Sequence, residues 1–273
     1  MTEGPEATYQ ANAVRRHFKG RRLTALRILR GRYKTHGPPA NATAFRRALP
    51  MRLTDVRKKG KVIVLDFEDG WSIIVKMGMV GWLSAADPTE PESTLHEASK
   101  NPNVVFAFEG SAGDLQFSDF RNFGTLTITH TPADVTAALD AIAPDILDPA
   151  TKLSELMERI PAVKPNATIE TVLMDQGALL SGIGNIIKSE LLYAARVAPR
   201  RTVESLTQNE WRRIFTAART VAHNVLYTLQ HDVDDYDTHQ KVYQRDTDPR
   251  GRVVKSHVAA DGRRTFWVPA VQH

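Results

Sequence analysis

The feature that most constrains the fold is a change of hydrophobic period part-way along the chain. Up to about residue 130, apolar residues gather in short runs: Leu23–Leu29, Val62–Phe67, Ser72–Val75, Val104–Phe108 and Thr125–Ile128. Turn-forming text such as Glu68-Asp69-Gly70 and Gly113-Asp114 separates them, as expected for strands. One helix is predicted ahead of them over 6–18, with Ala7, Ala11, Val14 and Phe18 at helical spacing. Beyond Thr129-His130-Thr131-Pro132 the spacing turns helical, over 133–142, 150–158, 167–179, 185–196 and 205–229. Strand-like text returns at Lys241–Gln244, Val253–His257 and Thr265–Val268, with Asp261-Gly262 as a hairpin turn. This order predicts an α+β chain: a β-sandwich domain over 1–130, a helical domain over 131–240 and a β-hairpin over 241–273. Residues 85–103, rich in Pro, Ser, Glu and Asn, read as an exposed loop, and no internal repeat is present.

Charge narrows the partner. The chain carries 36 basic and 31 acidic side chains, and the small excess hides a strong segregation. No acidic residue lies between Glu6 and Asp55, a stretch holding Arg15, Arg16, Lys19, Arg21, Arg22 and further arginines and lysines. Arg57, Lys58, Lys59 and Lys61 follow closely. Such a field suits a polyanion, nucleic acid above all, although a solvated basic face gives the same pattern. A membrane surface fits less well, since no basic amphipathic helix carries an aromatic face. No run approaches the ~18 apolar residues of a membrane span. The Met-Thr-Glu-Gly-Pro-Glu start lacks the apolar core of a secretory signal, so an intracellular protein is expected, in cytoplasm or nucleoid if bacterial and nucleus if eukaryotic. The absence of cysteine excludes disulfides, thiolate catalysis and cysteine-held zinc or iron–sulfur centres. No metal or cofactor is expected, and a monomer is the default.

Four short constellations carry chemistry. The first is the start, Thr2-Glu3-Gly4-Pro5-Glu6, and the second pairs Arg57-Lys58-Lys59-Gly60-Lys61 with Lys76-Met77-Gly78-Met79-Val80-Gly81. The third is Asp119-Phe120-Arg121-Asn122-Phe123-Gly124. The fourth runs Leu173-Met174-Asp175-Gln176, Gly182-Ile183-Gly184-Asn185 and Ser189-Glu190-Leu191-Leu192. Taken singly they read as ordinary core methionines and aromatics, surface lysines and a plain helix–helix turn. In this order and spacing they resemble the Fpg/Nei family of bifunctional DNA glycosylases over nearly the whole chain.

That resemblance implies a β-sandwich joined by a hinge to a helix–two-turns–helix (H2TH) domain, with damaged double-stranded DNA in the cleft between them. It implies that an N-terminal amine attacks C1′ of the sugar, that the base leaves, and that a Schiff base forms before β,δ-elimination cuts the strand. Thr2 stands at the nucleophile's position, Glu3 at that of the proton-moving acid/base, and Glu6 at that of a structural partner; Lys61 is the reserve nucleophile. Met79, Arg121 and Phe123 match the wedge that fills the gap left by a flipped base. Lys61, Lys76, Asn185 and Arg263 match phosphate contacts, with Arg264 competing for the role of Arg263, and the bare amides of Gly182–Asn185 are expected to grip a phosphate. Glu190 is expected to buttress that turn.

Three departures stand out. The family usually has proline where this chain has Thr2, and a primary amine forms an imine that must stay protonated to draw electrons. Glu170 replaces a basic residue found in some members. Val268 and Val271 occupy cysteine positions of a terminal zinc finger, so the hairpin is expected to be zincless and held by apolar packing. The glutamate-rich start and this tail point to oxidised pyrimidines before purines, with 231–240 as a candidate lesion-contacting loop. The alternatives are a non-catalytic binder of damaged or abasic DNA and an AP lyase with little glycosylase activity.

Overall fold

The computed structural model describes residues 2–85, 101–110, 113–231 and 240–273. Most of the expected loops at 85–103 and 231–240 lie outside the described residues. The chain divides into two compact units, one of Thr2 with Glu6–Ala141, the other of Glu3–Pro5 with Ile142–His273.

The first unit takes helix α1 (Gly4–Phe18) from Glu6 onward, and the helix buries Ala7, Ala11, Val14 and Phe18, the face its periodicity marks. Strand β1 (Arg22–Ile28), short helices α2 (Arg32–Thr35) and α3 (Ala42–Ala48), and strands β2 (Met51–Lys59), β3 (Val62–Phe67), β4 (Ser72–Lys76) and β5 (Trp82–Ala85) follow. Strands β6 (Val104–Phe108), β7 (Leu115–Ser118) and β8 (Thr125–Thr129) complete one antiparallel order, β5-β7-β6-β1-β2-β3-β4-β8. The β1–β2 pairing is slight, Arg22 with Arg52 and Leu23 with Met51, and the register shifts at Leu23/Ala25 and at Leu53/Asp55. Such shifts bend a strand. Both halves feed a single core, with Leu26, Phe106 and Phe117 from one side and Leu53, Ile63, Leu65 and Ile73 from the other.

Strand β2 is a correction to the sequence reading. Arg57-Lys58-Lys59 stands within a strand rather than before one, because the shift at Leu53/Asp55 breaks the alternation that would reveal it. The unit also keeps helix α4 (Pro132–Asp140), so the chain divides after Ala141 rather than at 130/131. Thr129 donates its hydroxyl to Asp134 at 2.5 Å, and Lys59 Nζ donates to the Leu139 carbonyl at 2.9 Å, which fastens α4 to the strands.

The second unit contains α5 (Leu153–Arg159), α6 (Ile169–Val172), α7 (Asn185–Ala195), α8 (Gln208–His231) and the hairpin β9 (Lys255–Val258)–β10 (Arg264–Trp267). Its core gathers Leu173, Leu180, Ile183, Ile187, Leu191, Trp211, Ile214 and Ala218. Thr207 and Glu210 start α8 reciprocally: Glu210 accepts from the Thr207 amide at 2.8 Å, and Thr207 accepts from the Glu210 amide at 3.3 Å.

Three sequence expectations change here. The helix expected over 167–179 stops at Val172, because Asp175 accepts from the Gly177 amide and Gln176 folds back onto the Met174 and Ile183 carbonyls. Lys241–Gln244 is not a strand: the Glu190 carboxylate takes the amides of Lys241, Val242 and Tyr243 at 2.8–2.9 Å. The hairpin loop spans residues 259–263, longer than a two-residue turn, with Gly262 at φ 78° and its amide on the Ala259 carbonyl. Among the described residues, no helix is long and apolar enough to cross a membrane.

Candidate active site

In the first unit, the 77–81 turn holds Thr2 and itself lies against the 119–124 turn. Its nitrogen donates to the Met79 carbonyl at 2.9 Å and its hydroxyl to the Gly81 carbonyl at 2.6 Å. Thr2 is 2 % exposed. The Met77–Gly81 turn closes on itself through the Gly81 amide and the Met77 carbonyl, 2.8 Å apart. Gly78 has φ 60°, and a Cβ there would lie 2.9 Å from the Gly124 nitrogen and the Phe123 carbonyl carbon. Only glycine lets this turn lie flat against the Phe123–Gly124 backbone.

The 119–124 turn is organised by one carboxylate. Asp119, itself buried, accepts from the amides of Arg121 (3.0 Å), Asn122 (3.1 Å) and Gly124. Asn103 holds Asp119 in turn, its Oδ1 accepting from the Asp119 amide at 2.7 Å. With its polar groups turned inward, the turn shows Arg121 and Phe123 to solvent, the guanidinium 5.2 Å from the ring centre. Phe123 is 55 % exposed and Met79 half-buried, so the three wedge candidates occupy two turns in direct contact. The neighbouring Phe120, 83 % exposed, was not singled out in the sequence. Its signal is an aromatic placed directly after an aspartate that caps its own turn. Lys76 is exposed at the end of β4 and pairs with Val62, Lys61 is half-buried just ahead of β3, and Glu6 is buried in the first turn of α1.

In the second unit, Glu3 meets the start of α7. Its carboxylate accepts from the Ile186 amide at 2.8 Å and the Ile187 amide at 3.0 Å. These are helix N-terminal donors that need an acceptor. A Cβ on Gly184 would lie 2.3 Å from the Glu3 carboxyl, which explains the second glycine of Gly182-Ile183-Gly184-Asn185. Gln176 braces the same turn, accepting from the Gly182 amide and donating to the Ile183 carbonyl. Of the Gly182–Asn185 amides expected to meet a phosphate, that of Gly182 is taken by Gln176 at 3.0 Å, while Glu3 takes the next two along the chain, those of Ile186 and Ile187. Asn185 is buried and donates to the Arg264 carbonyl at 3.0 Å. Glu190 anchors residues 241–243 rather than the glycine turn.

The hairpin is held by polar groups as well as apolar ones. Val268 is buried, and the terminal segment closes through Gln272, which accepts from the Val268 amide at 2.7 Å and donates to the Val197 carbonyl at 2.9 Å. His257 contacts Glu170 at 2.9 Å, both largely buried, so Glu170 holds the hairpin. Arg263 lies against Asp261, whose carboxylate takes both its amide and its guanidinium; Arg264 is exposed and reaches Ser256 at 3.0 Å. Burial would raise the Asp261 carboxyl, yet these bonds hold it below the ordinary range. Lys188 lies fully buried on α7, its Nζ without a hydrogen-bond partner among the described residues. Burial pushes its pKa down against the attraction of the Asp261 and Glu170 carboxylates. Asn185 Oδ1, His257 Nδ1 and Thr265 Oγ1 are buried and unpartnered as well. A cavity of about 490 Å³ lies between α7 and α8, bordered by Ile186, Asn224, Val225 and Gln240.

Known proteins share this architecture. Residues 1–126 match the formamidopyrimidine-DNA glycosylase N-terminal domain, and residues 142–234 match that enzyme's H2TH domain. A formamidopyrimidine-DNA glycosylase of Acidothermus cellulolyticus is 30% identical over 221 residues, covering 81% of this chain and 75% of its own. One from Desulfitobacterium hafniense is 28% identical over the full length of both. Among solved structures, Lactococcus lactis Fpg, non-covalently bound to DNA containing an AP site, superposes with a TM-score of 0.81 at 18% identity, covering 99% of each chain. Thermus thermophilus MutM (Fpg) gives 0.79 at 25% identity, covering 99% of this chain and 98% of its own. These likenesses define the class, a base-excision DNA glycosylase. The chain belongs to the formamidopyrimidine-DNA glycosylase family, whose members are DNA N-glycosylases and AP lyases.

Proposed function

We propose that the protein excises oxidised bases, pyrimidines before purines, and cuts the strand through a Schiff base on the Thr2 amine. The observation that carries this reading is the pair Thr2-Glu3: a nitrogen tied to the backbone of the wedge residue Met79, followed directly by a carboxylate held between two amides. With Met1 removed, the neutral Thr2 amine adds to C1′ as the C1′–base bond breaks, and the base leaves with the electron pair and takes a proton. Opening of the sugar ring then gives a protonated imine, the electron sink for loss of the 3′ phosphate by β-elimination and of the 5′ phosphate by δ-elimination. Glu3, an acceptor at a helix N-terminus, is suited to take and return the protons these steps move. Met79, Arg121 and Phe123 fill the gap in the duplex, and Lys61, Lys76, Asn185 and Arg263, with Arg264 beside it, hold the strand.

Borohydride trapping on an abasic duplex tests the reading. A covalent complex whose cross-link maps to the Thr2 amine is expected, and retained Met1 should prevent it. A cross-link on Lys61 would move the chemistry to that lysine. Tight binding with no cross-link would make the chain a non-catalytic binder of damaged DNA. Trapping without base release from oxidised pyrimidine or purine duplexes would leave an AP lyase alone.

A further inference from the structure

We propose that the Thr2 hydroxyl is a positioning group for the Thr2 amine, doing through a hydrogen bond to Gly81 what a pyrrolidine ring does covalently at a proline. The inference rests on Thr2 as nucleophile and adds what makes a primary amine serviceable there. A primary amine on an open side chain turns about N–Cα, and its lone pair has no fixed direction. In the structure, where this nitrogen is still the amide of the Met1–Thr2 peptide, two bonds fix the place the freed amine would take. The nitrogen is held 2.9 Å from the Met79 carbonyl, and the hydroxyl is committed to the Gly81 carbonyl at 2.6 Å.

The second bond matters for two reasons. A threonine hydroxyl readily bonds to neighbouring main-chain groups, and one donating to the amine would occupy the lone pair needed for attack. Pointed at Gly81, it leaves that lone pair unshared. The β-branched side chain has a stiff χ1, so fixing Oγ1 also fixes Cα relative to the turn. The acceptors are themselves rigid: the Gly81 amide closes the turn onto Met77, a Cβ on Gly81 would lie 2.3 Å from the Met77 carbonyl oxygen, and Gly78 is pressed against Phe123–Gly124. A turn with this little room fixes two carbonyls at the spacing that one threonine spans. The same backbone carries the Met79 plug, so nitrogen and plug share one mounting.

The test compares Thr2→Val, which swaps the hydroxyl for a methyl of similar shape, with Thr2→Ser, which keeps the donor, and with Thr2→Ala. Each variant is first checked by intact mass for loss of Met1. The readouts are the single-turnover rate of borohydride trapping on an abasic duplex, the Kd for a duplex carrying a reduced abasic analogue, and the Tm. Misplacing a reacting atom by about 1 Å costs on the order of 100-fold, so Thr2→Val and Thr2→Ala should trap roughly 10- to 100-fold more slowly, with Kd unchanged and Tm lowered only by the loss of one buried hydrogen bond. Thr2→Ser should stay within about threefold of the unaltered protein. Trapping by Thr2→Val at the unaltered rate would overturn the proposal, as would a loss shared equally by rate, Kd and Tm. If the unaltered protein itself does not trap, Thr2 is not the nucleophile, and the proposal falls with that reading.

Discussion

Two turns in this protein are each organised by a buried carboxylate, and they use it to opposite ends. In the 119–124 turn, Asp119 gathers amides two to five residues ahead of it, so the turn stands on local bonds and its side chains are left outside. Where the 182–185 turn opens α7, the carboxylate arrives from Glu3, 183 residues before the Ile186 amide it takes, and the segment from Leu179 to Leu192 is buried throughout. A local anion builds a display surface. An imported one consumes the helix N-terminus and turns the site inward.

The largest effect is expected at the imported carboxylate. Gly184→Ala places a Cβ where the Glu3 carboxyl lies, so both amide bonds are lost. With each charge-assisted bond contributing about 1.5–3 kcal/mol, a loss of about 3 kcal/mol or more in urea unfolding is expected, with base excision falling alongside. A stable, active Gly184→Ala would show that Glu3 has another seat.

Next in size is a gain. Lys188→Met removes a buried ammonium that has no hydrogen-bond partner, and about 1–3 kcal/mol of added stability is expected. The sign follows from the direction of the shift: a lysine whose folded pKa is lowered penalises folding fully below that folded pKa, and the penalty fades as pH rises from there towards 10.5. The advantage of Lys188→Met should shrink over that interval. Denaturation curves at pH 7 and pH 10 check it, and a destabilised variant would mean that the ammonium is satisfied in solution.

The smallest change in stability belongs to the display turn. Exposed Arg121 and Phe123, with half-buried Met79, can be replaced together by alanine at about 0.5 kcal/mol or less per site. Excision from duplex should nevertheless fall far more than cleavage at a preformed abasic site, since only the former needs a flipped base held out. Equal losses on both substrates, in a folded variant, would remove the wedge assignment and weaken the contrast between the turns.

What the sequence disclosed follows the same division. Strands β3 and β6 and helix α7 were legible because local pattern decides them, continuous apolar runs for the strands and helical spacing for the helix, whereas the 119–124 turn was marked by its resemblance to the family. Strand β2 was hidden by its register shift, and residues 241–244 were misread because the group that takes their amides, Glu190, lies on another element. The seat of Glu3 on α7 could not be read at all, for no local rule pairs residues so far apart. The polar hold on the hairpin was missed in a similar way. Valines at cysteine positions advertise apolar packing, whereas Glu170 with His257 and Gln272 with Val197 become partners only in three dimensions.

The reach of Glu3 has a consequence in time. Its acceptor role depends on amides made 183 residues later, and ribosomes add about 5–20 residues per second. For roughly 10–40 s of synthesis the carboxylate has no helix to cap, and the leading residues stay open to enzymes that trim and modify chain ends. Once α7 emerges and folds, Glu3 docks and that opening closes. The maturation that the proposed Thr2 chemistry requires would thereby have its window set by a helix encoded in the second half of the chain.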